Sequence, residues 1–413
     1  MTWLHRRRET CRLCDSRQVR VAVPLAPVPI VTPNIGSDDR AVQMTLAPLD
    51  LFLCEACGHL QLLDVVNPAV QYTNYLYRTA ISMGLADHFG RLCEDTCAAL
   101  APVPGDLVVE IGSNDGTLLR FFAKKGLTVL GIDPAREIAR QATEAGIETL
   151  AEFFNEELAA RLAAQRGQAK LIIANNVVAN IDDLVHFVLG VKRLMRPDGA
   201  FVFETQDGAA VIERNLIDTI YHEHLSYFLV RPLVGFFARL GLQLVDAQKI
   251  VTKGGSLRLT VQHAGGPLVP SERLKAAIDQ ETDAGLGASA PYDAFTHRNA
   301  AIKRQLLDSI DAERAQGREV AGYGTSVGTV TLLHQFDLFS RLAFLVDDNP
   351  FKAALSGPGY DIPVLSPTSL YERRPSLVIV LAWRYADAII GKHQAYKDAG
   401  GRFLVPLPDI SVH

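Results

Sequence analysis

Apolar strand-like runs alternate with helical patterns along most of the chain, and this alternation constrains the fold more than any other feature. LVVEIG, TVLGID, LIIANNVV and AFVFET are separated by helical patterns over 117–125, 135–145 and 184–195. Short apolar runs spaced by helices call for a parallel sheet covered on both faces. GLQLVDAQKI and SLRLTVQHAGG then read as strands joined by a turn at Lys253, Gly254 and Gly255. A charged helical region over 267–315, broken at GLGASA, leads into a second alternation: REVAGYG, a helix over Val327–Gln335, LAFLVDD, LVIVLAW, a helix over 386–400 and RFLVPLP. A second, smaller α/β unit is therefore expected. Before the first strand, 74–100 shows apolar residues at helical spacing and ends at Pro102 and Pro104.

At about 150 residues per domain, 413 residues suggest two or three domains, and the pattern divides them as 1–72, 73–250 and 251–413. A chain that is 48% hydrophobic and 21% charged, with 31 Gly and 21 Pro spread along it, is not fibrous or largely disordered. Forty-one basic against 46 acidic side chains leave a net charge of −5, too mild to point to a polyanion, so nucleic acid is not expected as a ligand. VAVPLAPVPIV and SLVIVLAW are shorter than the roughly 18 residues a membrane helix needs. The basic N-terminus has no apolar stretch behind it and does not read as a secretory signal. A cytoplasmic protein without a membrane span is expected, with its cysteines serving as metal ligands, core residues or catalysts in preference to disulfides.

Cys11-x-x-Cys14 and Cys54-x-x-Cys57 are two close pairs. Each places two thiolates on one tight turn, and four thiolates close a tetrahedral shell, so structural zinc is expected in preference to redox pairs or buried thiols. Gly58 suits the positive φ of such a knuckle. Cys93 and Cys97 lie one turn apart in the helical stretch and read as core residues.

Glu110-Ile111-Gly112-Ser113-Asn114-Asp115-Gly116 follows an apolar strand and opens a helix, and about twenty residues on Asp133 ends the next strand, where a carboxylate can take ribose hydroxyls. A dinucleotide loop would carry a middle glycine and aim amides at a pyrophosphate. Here Asn114 stands in the middle and Asp115 adds negative charge, which suits a sulfonium and an ammonium: S-adenosylmethionine rather than NAD. Asn175 and Asn176 end the third strand and Glu204 and Thr205 the fourth, the positions where ligands of such sheets collect. Asn175 is expected at the amino-acid end of the cofactor.

Tyr221-His222-Glu223-His224-Leu225-Ser226-Tyr227 is the densest ionisable cluster. A helical zinc-protease site needs histidines four apart, and these are two apart. The remaining readings are a general base with an orienting partner, and satisfied polar residues at a domain junction.

The cysteine pairs, EIGSNDGTLL, GIDPA, NNVVANIDDL, DTIYHEHLSYF, KGGSLR and GYGTSVG, in that order over essentially the entire chain, resemble the sugar C-methyltransferases that act on deoxysugar nucleotides. The resemblance implies a class I (Rossmann-like) α/β methyltransferase domain between a small zinc-binding domain and a C-terminal Rossmann-like α/β domain. It implies methylation at C3 of a dTDP-4-keto-deoxysugar by a monomer, with His224 as base, Tyr221 and Glu223 beside it, His222 at the substrate, and an upstream tyrosine, Tyr77 or else Tyr75. One departure stands out: Asn180 in NVVAN occupies the place of a family histidine, and an amide can bond a keto oxygen but cannot carry the proton. Gly324, Thr325 and Ser326 of GYGTSVG are expected to cradle a diphosphate, with Asp347 ending the next strand, and Lys253 and Arg258 to neutralise phosphate. N- or O-methylation of a sugar nucleotide is the alternative within the same chemistry. An NAD-linked sugar enzyme and a non-catalytic zinc scaffold fit less well, and Arg78, His297 and His334 carry no assignment.

Overall fold

The computed structural model describes residues 3–30, 45–73, 84–352 and 362–413. They form two compact units, each assembled from separated stretches: Met1–Arg20, Leu53–Ala209 and Leu225–Gly287 in the first, Val21–Phe52, Ala210–His224 and Ala288–His413 in the second. No helix among the described residues is long and apolar enough to cross a membrane.

The first unit is built on seven strands: β1 (Leu107–Ile111), β2 (Thr128–Ile132), β3 (Thr149–Leu150), β4 (Ala169–Asn175), β5 (Met195–Gln206), β6 (Leu242–Ile250) and β7 (Ser256–His263). Their spatial order is β3-β2-β1-β4-β5-β7-β6. The first five run parallel, and β7 enters antiparallel between β5 and β6. Strand residues alternate between two cores. Val109, Ile111, Ile172 and Phe203 face α4 (Glu156–Arg166), α5 (Leu184–Leu194), α6 (Val230–Arg239) and α7 (Glu272–Asp283), whereas Val108, Ile173 and Val202 face α1 (Leu85–Leu100) and α2 (Thr117–Lys124). Such side chains each contribute about 1.5–3 kcal/mol when fully buried, and burial on both faces explains why these strands read as unbroken apolar runs. A further helix, α3 (Arg136–Glu144), follows β2.

The boundary expected at 250 falls at the tip of the β6–β7 hairpin, where Lys253, Gly254 and Gly255 all have positive φ. The second strand of that hairpin lies inside the sheet, and the unit continues through α7. Cys93 is buried with Phe89 and Leu92 on the inner face of α1, as its spacing suggested. Short antiparallel pairs complete the unit: His5–Arg7 with Asp64–Val66, and Leu60–Leu62 with Ser226–Tyr227.

The second unit carries β8 (Val320–Tyr323), β9 (Phe344–Val346), β10 (Val364–Leu365), β11 (Leu377–Val380), β12 (Arg402–Val405) and β13 (Ser411–Val412) in the order β10-β9-β8-β11-β12-β13, parallel except for β13. α8 (Ala290–Arg314) precedes the sheet and α9 (Val327–Gln335) follows β8. Residues 210–224, which precede β6 in sequence, pack in this unit. Arg298 of α8 donates to the Ile212 carbonyl at 2.6 Å and Asn299 to Asn215 Oδ1 at 2.7 Å. Those polar groups come from far along the chain, so local pattern carried no sign of the assignment.

Candidate active site

The turn after β1 is held by positive φ at Gly112 (72°), Asn114 (49°) and Gly116 (73°). Gly112 is required by space as well, since an added Cβ would stand 2.2 Å from Val177 Cγ2. Asp133, at the end of β2, accepts the Asn114 amide on one oxygen and the Ala135 amide on the other, both at 2.9 Å. Its carboxylate therefore shapes the turn, leaving further lone pairs for ribose hydroxyls. Asp115 accepts from the Thr117 amide at 3.1 Å, at the first residue of α2. The turn is thus lined by carboxylates, as the sequence suggested.

Glu110, 2% exposed at the end of β1, is pushed well above the usual carboxylate range by burial and by the neighbouring Asp133 and Asp115. The unfolded chain releases this proton near an ordinary glutamate value of about 4.3. The folded protein holds it to higher pH, so the contribution to stability is complete below that value and is lost as pH rises towards the raised one. Glu110→Gln is expected to raise the melting temperature of cofactor-free protein at neutral pH and to flatten its pH dependence, while weakening binding of a cationic ligand. Equal pH dependence of melting in variant and wild type would contradict this assignment.

Among the described residues, Glu110 Oε2, Ser113 Oγ and both side-chain amide atoms of Asn175 are buried without a hydrogen-bond partner. Native proteins rarely leave such atoms so. They border the switch point between β1 and β4, and their mixture of acceptors and donors on an anionic turn fits the hydroxyls and ammonium of S-adenosylmethionine. Asn176 adopts a left-handed φ of 56° and donates its amide to the Glu204 carbonyl at 2.7 Å. Asn180 ends a 3-10 turn with Oδ1 buried and without a partner. Glu204 and Arg258 form a buried chain with a residue the sequence did not single out: Glu204 bonds His88 Nε2 at 2.6 Å and Arg258 Nε at 2.7 Å, and Arg258 reaches Asp95 at 2.8 Å. Burial alone would raise the Glu204 carboxyl, but His88 and Arg258 hold it below its usual value. Arg258 is thereby committed to carboxylates.

In the second unit, the ionisable cluster follows the 3-10 turn Ile217–Thr219. His224 Nδ1 lies 3.2 Å from the Thr219 carbonyl, and Nε2 lies 3.1 Å from the Tyr221 hydroxyl. A carbonyl can only accept, so Nδ1 is the donor there, and in the neutral ring Nε2 then accepts from the phenol. The two rings lie 4.2 Å apart between centroids. This is the geometry of a general base with an oriented partner. His222, expected at the substrate, is buried and donates Nε2–H to the Pro48 carbonyl at 3.0 Å, which anchors the segment. Buried Glu223 shares a small recess with Tyr221, His222, Val327, Val330 and Thr331. Tyr75, Tyr77 and Arg78 lie outside the described residues.

The donors of the Gly324-Thr325-Ser326 turn are held internally. The Thr325 amide donates to Asp347 at 2.9 Å and its hydroxyl bonds the same oxygen, while Ser326 and Thr329 form a reciprocal cap on α9. Asp347 thus stands where a bound anion would, and Lys352 completes the turn by donating to the Thr325 carbonyl at 3.0 Å. Lys253 sits at the tip of the β6–β7 hairpin.

The four cysteine sulfurs lie within 4.8 Å of one another, with Cys11–Cys57 and Cys14–Cys54 each at 3.6 Å. A tetrahedron of Zn–S bonds of about 2.3 Å requires sulfurs about 3.8 Å apart, so the set fits zinc with little movement. The Cys57 contact lowers the Cys11 thiol towards thiolate, and burial pushes Cys54 up to about 11, a cost that a metal would remove. Between the first two ligands, buried Arg12 pairs with Asp182 at 3.1 Å and bonds the carbonyl of Leu62.

Three family models match the chain in succession: a zinc binding domain over 11–72, a methyltransferase domain over 86–247 and a C-methyltransferase C-terminal domain over 251–408. The C-methyltransferase NovU of Streptomyces niveus is 31% identical over 402 residues, 97% of this chain and 96% of NovU. The ubiquinone biosynthesis O-methyltransferase of Burkholderia thailandensis is 27% identical over 164 residues, 37% of this chain and 71% of that protein. A solved magnesium protoporphyrin IX methyltransferase from Synechocystis, with S-adenosylhomocysteine bound, shares 16% identity over 43% of this chain and 82% of that one, with a TM-score of 0.33.

Proposed function

Because this chain belongs to the zinc-containing, S-adenosylmethionine-dependent C-methyltransferase family, we propose that it methylates C3 of a dTDP-linked 4-keto-deoxysugar, with His224 as the base. The enzyme is an S-adenosylmethionine-dependent methyltransferase of the class I, Rossmann-like fold, with a zinc-binding N-terminal domain. The observation that supports the proposal is the contact of His224 Nδ1 with the Thr219 carbonyl, which in the neutral ring leaves Nε2 as the basic nitrogen a carbon acid needs.

A proton on carbon beside a ketone is removable because the electron pair moves onto the keto oxygen. His224 Nε2 takes that proton, and the Thr219 carbonyl stabilises the resulting imidazolium through Nδ1–H. The Tyr221 phenol, in the same unit as His224, is the donor available for the enolate oxygen. When bound, S-adenosylmethionine would supply an electrophilic methyl on a sulfonium for the nucleophilic carbon. Glu110, Ser113, Asp133 and Asn175, with the turn of Gly112, Asn114, Asp115 and Gly116, would hold that cofactor. Lys253, at the tip of the β6–β7 hairpin, is the basic residue assigned to the diphosphate. His224 finally releases its proton to solvent.

Mass spectrometry of dTDP-4-keto-deoxysugars incubated with the enzyme and S-adenosylmethionine tests this reading. A gain of one methylene on the sugar supports it. Methyl transfer to amino or hydroxyl sugars alone, with no keto sugar modified, would replace it with N- or O-methylation.

A further inference from the structure

Asp218, in the turn Ile217–Thr219 just before the ionisable cluster, is 6% exposed. Its carboxylate accepts both terminal nitrogens of Arg384, at 2.7 and 3.0 Å, and the indole N–H of Trp383 at 3.1 Å. The Arg384 guanidinium also lies 4.4 Å from the centre of the Trp383 ring. The backbone is gripped as well: a Cβ on Gly328 would stand 2.6 Å from the Asp218 carbonyl, and Thr331 Oγ1 donates to the Ile220 carbonyl at 2.9 Å.

These partners surround the switch point of the second sheet. Trp383 and Arg384 follow β11, and Gly328 lies in the first turn of α9, after β8. β8 and β11 are the neighbours at which the strand order reverses, the place where open parallel sheets take ligands. In this unit a stretch of its own chain lies against both walls of that crevice, and Thr219, next to Asp218, is the residue whose carbonyl receives His224 Nδ1–H.

We propose that Asp218, Arg384 and Trp383 form a clamp that positions the catalytic base, holding the Thr219 carbonyl so that His224 keeps its Nδ1–H tautomer. The proposal rests on His224 being the base of the reaction above. The bidentate ion pair is the strong, directional kind of charge-assisted hydrogen bond. Thr219 is stiffened further by donating its amide and hydroxyl to the Leu216 carbonyl, at 3.0 and 2.7 Å. The clamp therefore acts on the orientation of a backbone carbonyl without touching substrate. These three are positioning residues.

Nitrogen-15 NMR of histidine-labelled, zinc-loaded enzyme tests the clamp, with the His224 signals assigned by their loss in His224→Gln. Wild type should show the Nδ1–H tautomer. Arg384→Ala and Asp218→Asn should give a mixture of tautomers, Arg384→Lys a smaller change, and kcat should fall on the order of 10²-fold in Arg384→Ala with KM for S-adenosylmethionine unchanged. An unaltered tautomer in folded Arg384→Ala would overturn the clamp. If Arg384→Ala does not fold, the same reading in Arg384→Lys and Asp218→Asn decides the matter. A tautomer shift in an enzyme that methylates no keto sugar would leave the clamp standing and remove the carbon-acid reaction.

Discussion

His224→Ala is expected to lower methyl transfer by about 10³-fold while S-adenosylmethionine still binds with wild-type affinity. General-base catalysis by a positioned imidazole is worth about 10²–10⁴-fold, and no second imidazole stands in the family position occupied here by Asn180. Binding is spared because the groups fitted to the cofactor lie on the turn after β1 and at the end of β4. Isothermal titration with S-adenosylmethionine beside single-turnover kinetics separates the two effects. Equal loss of binding and turnover would mean that His224 holds the fold of the site and is not its base. Tyr221→Phe keeps the ring packing but removes the phenol that meets Nε2, so it should fall between the variant and wild type.

Removing zinc is expected to lower the melting temperature on the order of 10 °C and to impair turnover with it. Cys11 and Cys54 are wholly buried and belong to the same apolar core as Phe203, Phe228 and Leu233. Structural zinc contributes folding free energy directly, and about 3–5 kcal/mol corresponds to a shift of that size in a unit of this length. The effect reaches the site through Arg12, whose partners include Asp182, two residues beyond Asn180, and the Leu225 carbonyl at 3.4 Å, next to His224 in sequence. Without the metal, four thiols, two of them wholly buried, face one another around the turn that carries Arg12. Chelation followed by metal analysis and calorimetry checks this. A zinc-free protein that melts with the wild type would show that the cysteines pack without needing an ion.

The parts of the site that were legible in the sequence are those whose chemistry is local. The turn from Glu110 to Gly116 announces itself because positive φ demands particular residues at fixed spacing, and the cysteine pairs because two thiolates must share a tight turn. The alternation of apolar runs likewise exposed both sheets, since strands buried on two faces have little choice of residue. Strand order was less accessible: nothing in SLRLTVQH says that it inserts between β5 and β6, because that choice is made by pairing across the sheet. The same limit hid the clamp, whose Asp218 and Arg384 are far apart in the chain, and the tautomer-setting Thr219 carbonyl, a backbone group without a sequence signature. His222 is instructive in the opposite direction. Its place in a dense ionisable cluster suggested substrate, but the Pro48 carbonyl that satisfies it arrives from a remote segment. The Gly324 turn resembles a phosphate loop locally, yet Asp347 occupies its donors from the next strand.

The most direct test of the central claim is an NMR experiment with methyl-labelled S-adenosylmethionine and a dTDP-4-keto-deoxysugar in deuterated buffer, following both the carbon skeleton and the C3 proton. The carbon-acid reading predicts a new carbon–carbon bond at C3, and deuterium entering C3 when S-adenosylhomocysteine replaces the methyl donor, both lost in His224→Ala. A labelled methyl bonded to nitrogen or oxygen, with the C3 proton retained, would contradict it.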